Sequence, residues 1–261
     1  MPRRPFRGKP RVIATANRLV GADGPIWTNL RNGRMRLDMR VPLENAAFWN
    51  RGIDDRAITR LREAIVEGAV VLDIGANIGL FAVPLGRAAL AQGGRLIAFE
   101  PMPMSAARLR ENLAANNVAA TVLEVALGAE DGTAEMAPME PGETANAAFV
   151  ERATGSSTTV KVMRLDEIAA ELALHRCDVV KVDVEGGELA VLRGGATFLE
   201  HHQPLIYLEL NDPRMEAMGW KESELLELAR SWGYEVFVET GEGFERFRRT
   251  GPMDNILLVR K

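Results

Sequence analysis

The chain is poor in the residues that build most metal and nucleophile sites. It has one cysteine, Cys177, and three histidines, His175, His201 and His202. A lone cysteine closes no intrachain disulfide and supports no cysteine cluster around a metal. Its place just before an apolar run marks it as a small buried hydrophobe. No His-x-x-x-His pair, no Gly-x-Ser-x-Gly elbow and no Gly-x-x-x-x-Gly-Lys-Ser/Thr loop occurs. Zinc hydrolysis, a hydrolase-type serine triad and P-loop nucleotide chemistry therefore lack their usual scaffolds. There is no apolar run of about 20 residues to span a membrane. The basic cluster Arg3, Arg4, Arg7, Lys9 and Arg11 is not followed by the apolar stretch that a signal peptide needs. It reads as a mobile tail on a cytoplasmic protein. Charge of one sign is also lacking: 32 basic against 36 acidic side chains give −4, so no general attraction to nucleic acid or anionic lipid is expected.

What is present is an ordinary globular composition, 47% hydrophobic and 26% charged over 261 residues, enough for one large core. It is organised around Val70-Val71-Leu72-Asp73-Ile74-Gly75-Ala76-Asn77-Ile78-Gly79-Leu80-Phe81. An apolar run meets an aspartate, then Gly-x-Asn-x-Gly, then a helical pattern. This spacing predicts a buried parallel strand, a tight loop and a helix N-terminus, a loop type that lets a ligand approach the backbone. The next strand, Arg95–Phe99, ends in Glu100-Pro101, where an acid can accept hydrogen bonds from ribose hydroxyls. Together these features point to a nucleoside-bearing cofactor.

Around this unit the spacing predicts a small β element in 12–43, with Asn32-Gly33 as a hairpin signal, and one or two helices in 44–66. Strands are expected at 69–74, 95–99, 120–126, 178–184, 204–210, 234–238 and 255–259. Helices are expected at 78–91, 103–116, 165–174, from 188 to about 199, and at 221–232. Strand–helix alternation of this kind gives a mostly parallel sheet with helices on both faces. The last two strands follow each other too closely for a crossover and imply an antiparallel hairpin at one edge. Residues 129–159 break the alternation, with loop compositions at Glu140-Pro141-Gly142 and Thr154–Thr159. They fit a hairpin-like excursion ending in a strand at Val160-Lys161-Val162-Met163, either a lid or wall beside the site or a solvent loop. The expected division is an N-terminal extension, 1–66, on a domain of 67–261 with an insertion at 129–164.

Open α/β sheets bind ligands beyond the carboxyl ends of their strands, which selects Asp73, Glu100, Asp183, Glu185, Glu209 and Asn211. Crowded carboxylates there can serve as a base or orient a hydroxyl. Asp73 could equally brace the glycine loop, Glu209 and Asn211 could satisfy turn backbone, and Glu188 reads as structural.

The chain resembles the FkbM family of S-adenosylmethionine (SAM)-dependent methyltransferases from about residue 45 to 212. The resemblance rests on Asp73–Gly79, Phe99-Glu100-Pro101, Asn112, Val125-Ala126-Leu127-Gly128, Lys181–Glu188 and Leu192-Arg193-Gly194-Gly195, with Phe48–Gly52 as the lead-in. It implies a Rossmann-like class I methyltransferase fold, α/β, with about seven strands, mostly parallel with an antiparallel last strand. It also implies SAM held by Asp73, Gly75, Ala76, Asn77 and Gly79, with Glu100 and Pro101 at the ribose. Val125 and Ala126 would border the adenine, and Asp183 the methyl-transfer crevice. Family members commonly methylate hydroxyls on sugars, glycolipids and secondary metabolites, leaving S-adenosylhomocysteine (SAH). On this reading Asp183 or Glu185 takes the hydroxyl proton, with Glu209 or Asn211 orienting the acceptor.

Partners are then a small-molecule or glycan acceptor, without nucleic acid or a membrane span; a homo-oligomer is compatible with the sequence. A divalent metal is compatible but has no dedicated ligand set. A nicotinamide dehydrogenase would carry Gly-x-Gly-x-x-Gly instead of Asp-x-Gly-x-Asn-x-Gly, and an adenine methyltransferase would carry Asn/Asp-Pro-Pro-aromatic after its fourth strand. An N- or carboxyl-methyltransferase of a small molecule or peptide would share the motifs, as would a non-catalytic SAM-binding scaffold.

Overall fold

The computed structural model describes residues 24–138, 147–150 and 157–260. The basic tail, Glu140-Pro141-Gly142 and Thr154-Gly155-Ser156 lie outside them. The Asn32-Gly33 signal does form a hairpin: β1 (Pro25–Leu30) runs antiparallel to β2 (Gly33–Asp38). Met35 and Leu37 alternate inward from β2 and are buried, as a half-buried strand requires. Two helices follow, α1 (Pro42–Asn50) and α2 (Asp55–Glu63), overlapping the expected 44–66 region and starting two residues before it.

β3 (Val70–Ile74) is buried at every position, which matches its unbroken apolar run. It leads through the glycine loop to α3 (Ala82–Ala91), β4 (Arg95–Phe99), α4 (Pro103–Ala114) and β5 (Ala120–Leu123). The expected strand 120–126 is in fact two. After Leu123 the chain leaves the main sheet, and β6 (Ala126–Leu127) pairs in parallel with β9 (Thr158–Met163). With β7 (Gly132–Pro138) and β8 (Ala147–Val150) these make a separate sheet in the order β6-β9-β7-β8. Ala126, Met136 and Val160 of this sheet pack with Met102, placing it beside the end of β4.

Next come α5 (Leu165–Glu171) and β10 (Val179–Val182). The helix expected from 188 to about 199 is divided into α6 (Glu188–Gly194) and α7 (Ala196–His202), because Gly194 and Gly195 weaken the helix where they meet. A Cβ on Gly194 would stand 1.9 Å from the Gly128 carbonyl, so close packing also requires the glycine. β11 (Leu205–Asn211), α8 (Asp212–Ala217), α9 (Glu222–Ser231), β12 (Tyr234–Thr240), β13 (Gly243–Arg246) and β14 (Met253–Arg260) complete the chain's order. The short α8 and β13 carry too few residues to show a period and were not expected.

The main sheet has eight strands, β13-β12-β14-β11-β10-β3-β4-β5, one more than about seven. β5, β4, β3, β10 and β11 are mutually parallel. β14 is antiparallel to both β11 and β12 and lies between them. The expected hairpin pairing exists, but the last strand is inserted into the sheet, with β13 at the edge. Helices α1–α4 cover one face and α5–α9 the other, each with its own apolar cluster. Trp232 is buried and Trp220 half-buried, whereas Trp27 and Trp49 are exposed. No described helix is long and apolar enough to cross a membrane.

The hairpin is bolted to α4 by side chains that imitate a neighbouring strand. Asn116 accepts from the Arg34 N–H (2.8 Å) and donates to the Arg34 carbonyl. Asn112, one turn earlier and fully buried, accepts from the Arg36 N–H (2.7 Å) and donates to the Ile78 carbonyl in the glycine loop (2.8 Å). Glu44, also fully buried, pairs with Arg108 and accepts from the Asp38 N–H. These bonds give α1 and the hairpin a fixed relation to the loop.

Candidate active site

Strand order reverses between β3, which continues to β4, and β10, which continues to β11, so the crevice expected for a ligand opens there. Along this line of strand ends stand Glu100 after β4, the glycine loop after β3, Asp183 and Glu185 after β10, and Glu209 within the end of β11. A cleft of about 160 Å³ is lined by the loop residues Gly75, Ala76, Asn77 and Ile78 and by Asp183, Glu185 and Glu209. Lys181, Tyr207, Asn255 and Asp54 also face it.

Asp73 sits below this surface, completely buried. Neither of its oxygens accepts a hydrogen bond from the backbone; its partner is the Lys181 ammonium, 3.3 Å from Oδ1. It does not brace the glycine loop by bonding the backbone. That work falls to Glu100, which is buried and accepts from the N–H groups of Asn77 (2.8 Å) and Met102 (3.0 Å), one on each oxygen. Burial raises the Glu100 pKa, with the two backbone bonds opposing the rise. The Gly75 and Ala76 N–H groups donate to the Phe99 carbonyl, fastening the loop to β4 as well.

The loop glycines have an internal role. Gly75 has φ +72, and a Cβ there would lie 1.9 Å from the Asp183 carbonyl; Gly79, at φ +95, would place its Cβ 2.8 Å from Leu109. The bare backbone expected to admit a ligand is equally what lets β3 meet β10 and the loop meet α4.

The turn after β10 is built around Glu188. It is fully buried at the start of α6, and its Oε1 accepts from the Val184 and Gly186 N–H groups (3.1 and 3.2 Å) while Oε2 has no partner. Burial first, partly offset by these bonds, pushes its pKa up to about 7. Glu185 adopts a left-handed φ of +60, and its Oε2 lies 2.6 Å from Arg214 Nη1. Burial and then Asp183 raise its pKa to about 8, against the pull of Arg214. Glu209 is raised by burial and by Asp183, and it accepts from Asn211 Nδ2 at 3.3 Å.

A carboxyl whose pKa is raised on folding adds stability that is complete below its unfolded value and is lost as the pH climbs through the folded value. The melting temperature is therefore expected to fall between pH 5 and pH 8. Glu188→Gln, neutral throughout and able to accept the same two bonds, should flatten that fall and gain roughly 2–3 kcal/mol over wild type at pH 8. Parallel melting curves for the two proteins would contradict the assignment.

Four polar residues of the cleft lie outside the set that the sequence selects: Asp54, Tyr207, Lys181 and Asn255. Asp54, at φ +42 before α2, is exposed as a residue, but its carboxyl is raised to about 6 by lost solvation, then by Glu239 and Asp183. Tyr207 donates to Glu239 Oε2 (2.8 Å), and burial holds its phenol well above the usual range. Lys181 was visible as a lone cation within Val-Val-Lys-Val, a signal that alone could have marked it. Asp183, Glu185 and Glu209 bring carboxylate oxygens within 4.8 Å of one another, a set able to accept a hard cation. Gly79, Glu100, Pro101, Val125 and Ala126 lie outside the described cleft lining. Glu100 adjoins Asn77 and Leu123 through hydrogen bonds, and Ala126 packs with Met102, so this group occupies the β4–β5 side of the loop. Pro101 is half-buried between them in sequence, and Val125 packs on the α5–α9 face.

The open sheet with its reversal at β3, the glycine loop and the acid closing β4 together define a methyltransferase fold of class I. Residues 73–236 match the family model described as the methyltransferase FkbM domain, and the chain belongs to that family. It is 30% identical over 188 residues to hexuronic acid methyltransferase AglP of Haloferax volcanii, covering 67% of this chain and 75% of AglP. It is 30% identical over 171 residues to 31-O-demethyl-FK506 methyltransferase FkbM of Streptomyces tacrolimicus, covering 54% of this chain and 64% of that one. It is also 30% identical over 220 residues to AMB antimetabolite synthetase AmbE of Pseudomonas aeruginosa, where it covers 69% of this chain but spans only 10% of the relative.

Proposed function

We propose that the chain transfers a methyl group from SAM to a hydroxyl oxygen of a sugar, glycolipid or secondary metabolite. The observation that carries this reading is the row of strand ends: a buried acid, a glycine loop and a carboxylate cleft side by side over the topological switch. The names of AglP and of the Streptomyces FkbM, one citing a hexuronic acid and one an O-demethyl compound, support the acceptor class.

The residues fit the cofactor. A carboxylate offers about four acceptor positions, and Glu100 uses one on each oxygen for backbone, leaving capacity for ribose hydroxyls. Gly75, Ala76 and Asn77 line the cleft beside it, with Asp73, Gly79, Pro101, Val125 and Ala126 around them. SAM supplies a methyl group on a positively charged sulfur. The chain's own part is to align the acceptor and remove its proton. Asp183, half-exposed at the cleft, receives the hydroxyl proton. Glu185 and Glu209 orient the acceptor, and Asn211 holds Glu209. Residues 1–66 form an extension that shapes one wall through Leu43, Ile53 and Asp54, on a methyltransferase domain of 67–261 with an insertion at 129–164.

Titration calorimetry with SAM, SAH and NAD tests the reading. Micromolar binding of the two adenosyl-sulfur compounds and none of NAD is expected; binding of NAD alone overturns it. With an acceptor from a subsequent screen of sugars, Asp183→Asn should still bind SAM but transfer methyl about 10²–10⁴-fold more slowly. Wild-type turnover in that variant removes Asp183 from the role.

A further inference from the structure

A lysine in the middle of a parallel sheet is costly unless its charge is matched. Lys181 is 3% exposed, at the centre of β10. Register places it opposite Asp73 of β3 on one side and Tyr207 of β11 on the other, so a polar row crosses an otherwise apolar face. Its Nζ donates to the Gly75 carbonyl at 2.7 Å and lies 3.4 Å from the Ile74 carbonyl. It stands 3.3 Å from Asp73 Oδ1, 3.8 Å from Asp183 Oδ2 and 5.6 Å from the centre of the Phe81 ring. One ammonium thus touches the first glycine of the loop, the buried acid beneath it and the acid at the cleft.

We propose that Lys181 is the positioning residue of the cofactor cleft, tying the Gly75 carbonyl to Asp73 and Asp183. Two acids gathered on one lysine leave the cleft with more acidic than basic groups, which suits a cationic cofactor such as SAM. This assignment rests on the SAM reading above.

The groups around Nζ set the direction of the effect. Desolvation alone would discharge the lysine, but Asp73, Asp183 and Glu100 outweigh it and hold its pKa above the ordinary value. Lys181 in turn opposes the rise in proton affinity at Asp73, Glu100, Glu209 and Asp54. Glu185 and Tyr207 face the same cleft. With the ammonium gone, Asp73 loses the opposite charge 3.3 Å away and gains proton affinity, so the cleft holds a cation less well as the pH falls.

The experiment is titration calorimetry of the full chain with SAM and SAH from pH 6 to pH 8, on wild type, Lys181→Met and Lys181→Gln. Both variants should bind SAM at least about tenfold more weakly at pH 6 than at pH 8, a steeper dependence than wild type shows. Lys181→Gln keeps a donor for Gly75 and should retain SAH affinity better than Lys181→Met. Variants that bind SAM with the wild-type pH dependence overturn the proposal, even if they melt earlier. Wild type that binds no SAM at any pH overturns the SAM reading instead. Thermal melts cover loss of folding, because removing one member of a buried pair strands the other. Asp73→Asn combined with Lys181→Met should therefore melt higher than Lys181→Met alone, and an equal or lower melting temperature in the double variant overturns the pairing.

Discussion

Glu100→Ala is expected to weaken binding of SAH by about 10²–10⁴-fold. The carboxylate is assigned two tasks: its free acceptor positions receive ribose hydroxyls, and Oε2 anchors the glycine loop through the Asn77 N–H. A hydrogen bond to a charged group contributes about 1.5–3 kcal/mol, so two of them account for the range, and the released loop adds to it. Glu100→Gln separates the tasks. Its single amide oxygen must serve where two carboxylate oxygens served, so an intermediate loss of about 10–100-fold is expected. Calorimetry with SAH at fixed pH reads both variants. If Glu100→Ala binds within threefold of wild type, the ribose assignment fails.

The second large effect is on the fold. Gly75→Ala should cost roughly 2–5 kcal/mol, a large share of the about 5–15 kcal/mol that holds an ordinary domain together. The left-handed φ of +72 costs an alanine about 1–2 kcal/mol. Its Cβ would also stand 1.9 Å from the Asp183 carbonyl, and forced overpacking adds about 1–3 kcal/mol. Gly93 supplies the control. Its φ is +67 but no atom lies within 4 Å of its Cβ position, so Gly93→Ala should cost only about 1–2 kcal/mol. Urea unfolding of the two variants measures the difference; equal costs would show that the approach of β3 to β10 is looser than the geometry indicates.

Much of this site was legible because each signal was local. The apolar run before Asp73, the glycines at 75 and 79 and the acid after Phe99 each report a strand, a turn or a strand end within a dozen residues. The parts that were missed depend on register. Asp54, Tyr207 and Glu239 come from separate regions of the sequence and meet only once β11 and β12 are placed across the sheet. In the sequence Asp54 is one acid before a helix and Tyr207 one residue of an apolar strand. Lys181 is a lone cation within Val-Val-Lys-Val, but which carboxylates it meets follows from its pairing with β3. The division of 120–126 has the same origin: Ala126 pairs with Val162, 36 residues later, and no pattern within the segment encodes that partner. Strand count and the position of β14 likewise follow from the competition among edges rather than from alternation.

The place of β14 bears on how the molecule comes to be made. β14 separates β11 from β12 and bonds to both, although it lies after both in the chain. Asn211 and Met253, at the start of that pairing, are 42 residues apart. At about 5–20 residues per second of synthesis, a ribosome needs roughly 2–8 s to cover that interval. Until β14 is made, the outer edge of β11 lacks the neighbour it has in the fold. An unpaired strand edge is a template for the wrong strand, so this half of the sheet is open to mispairing over that interval.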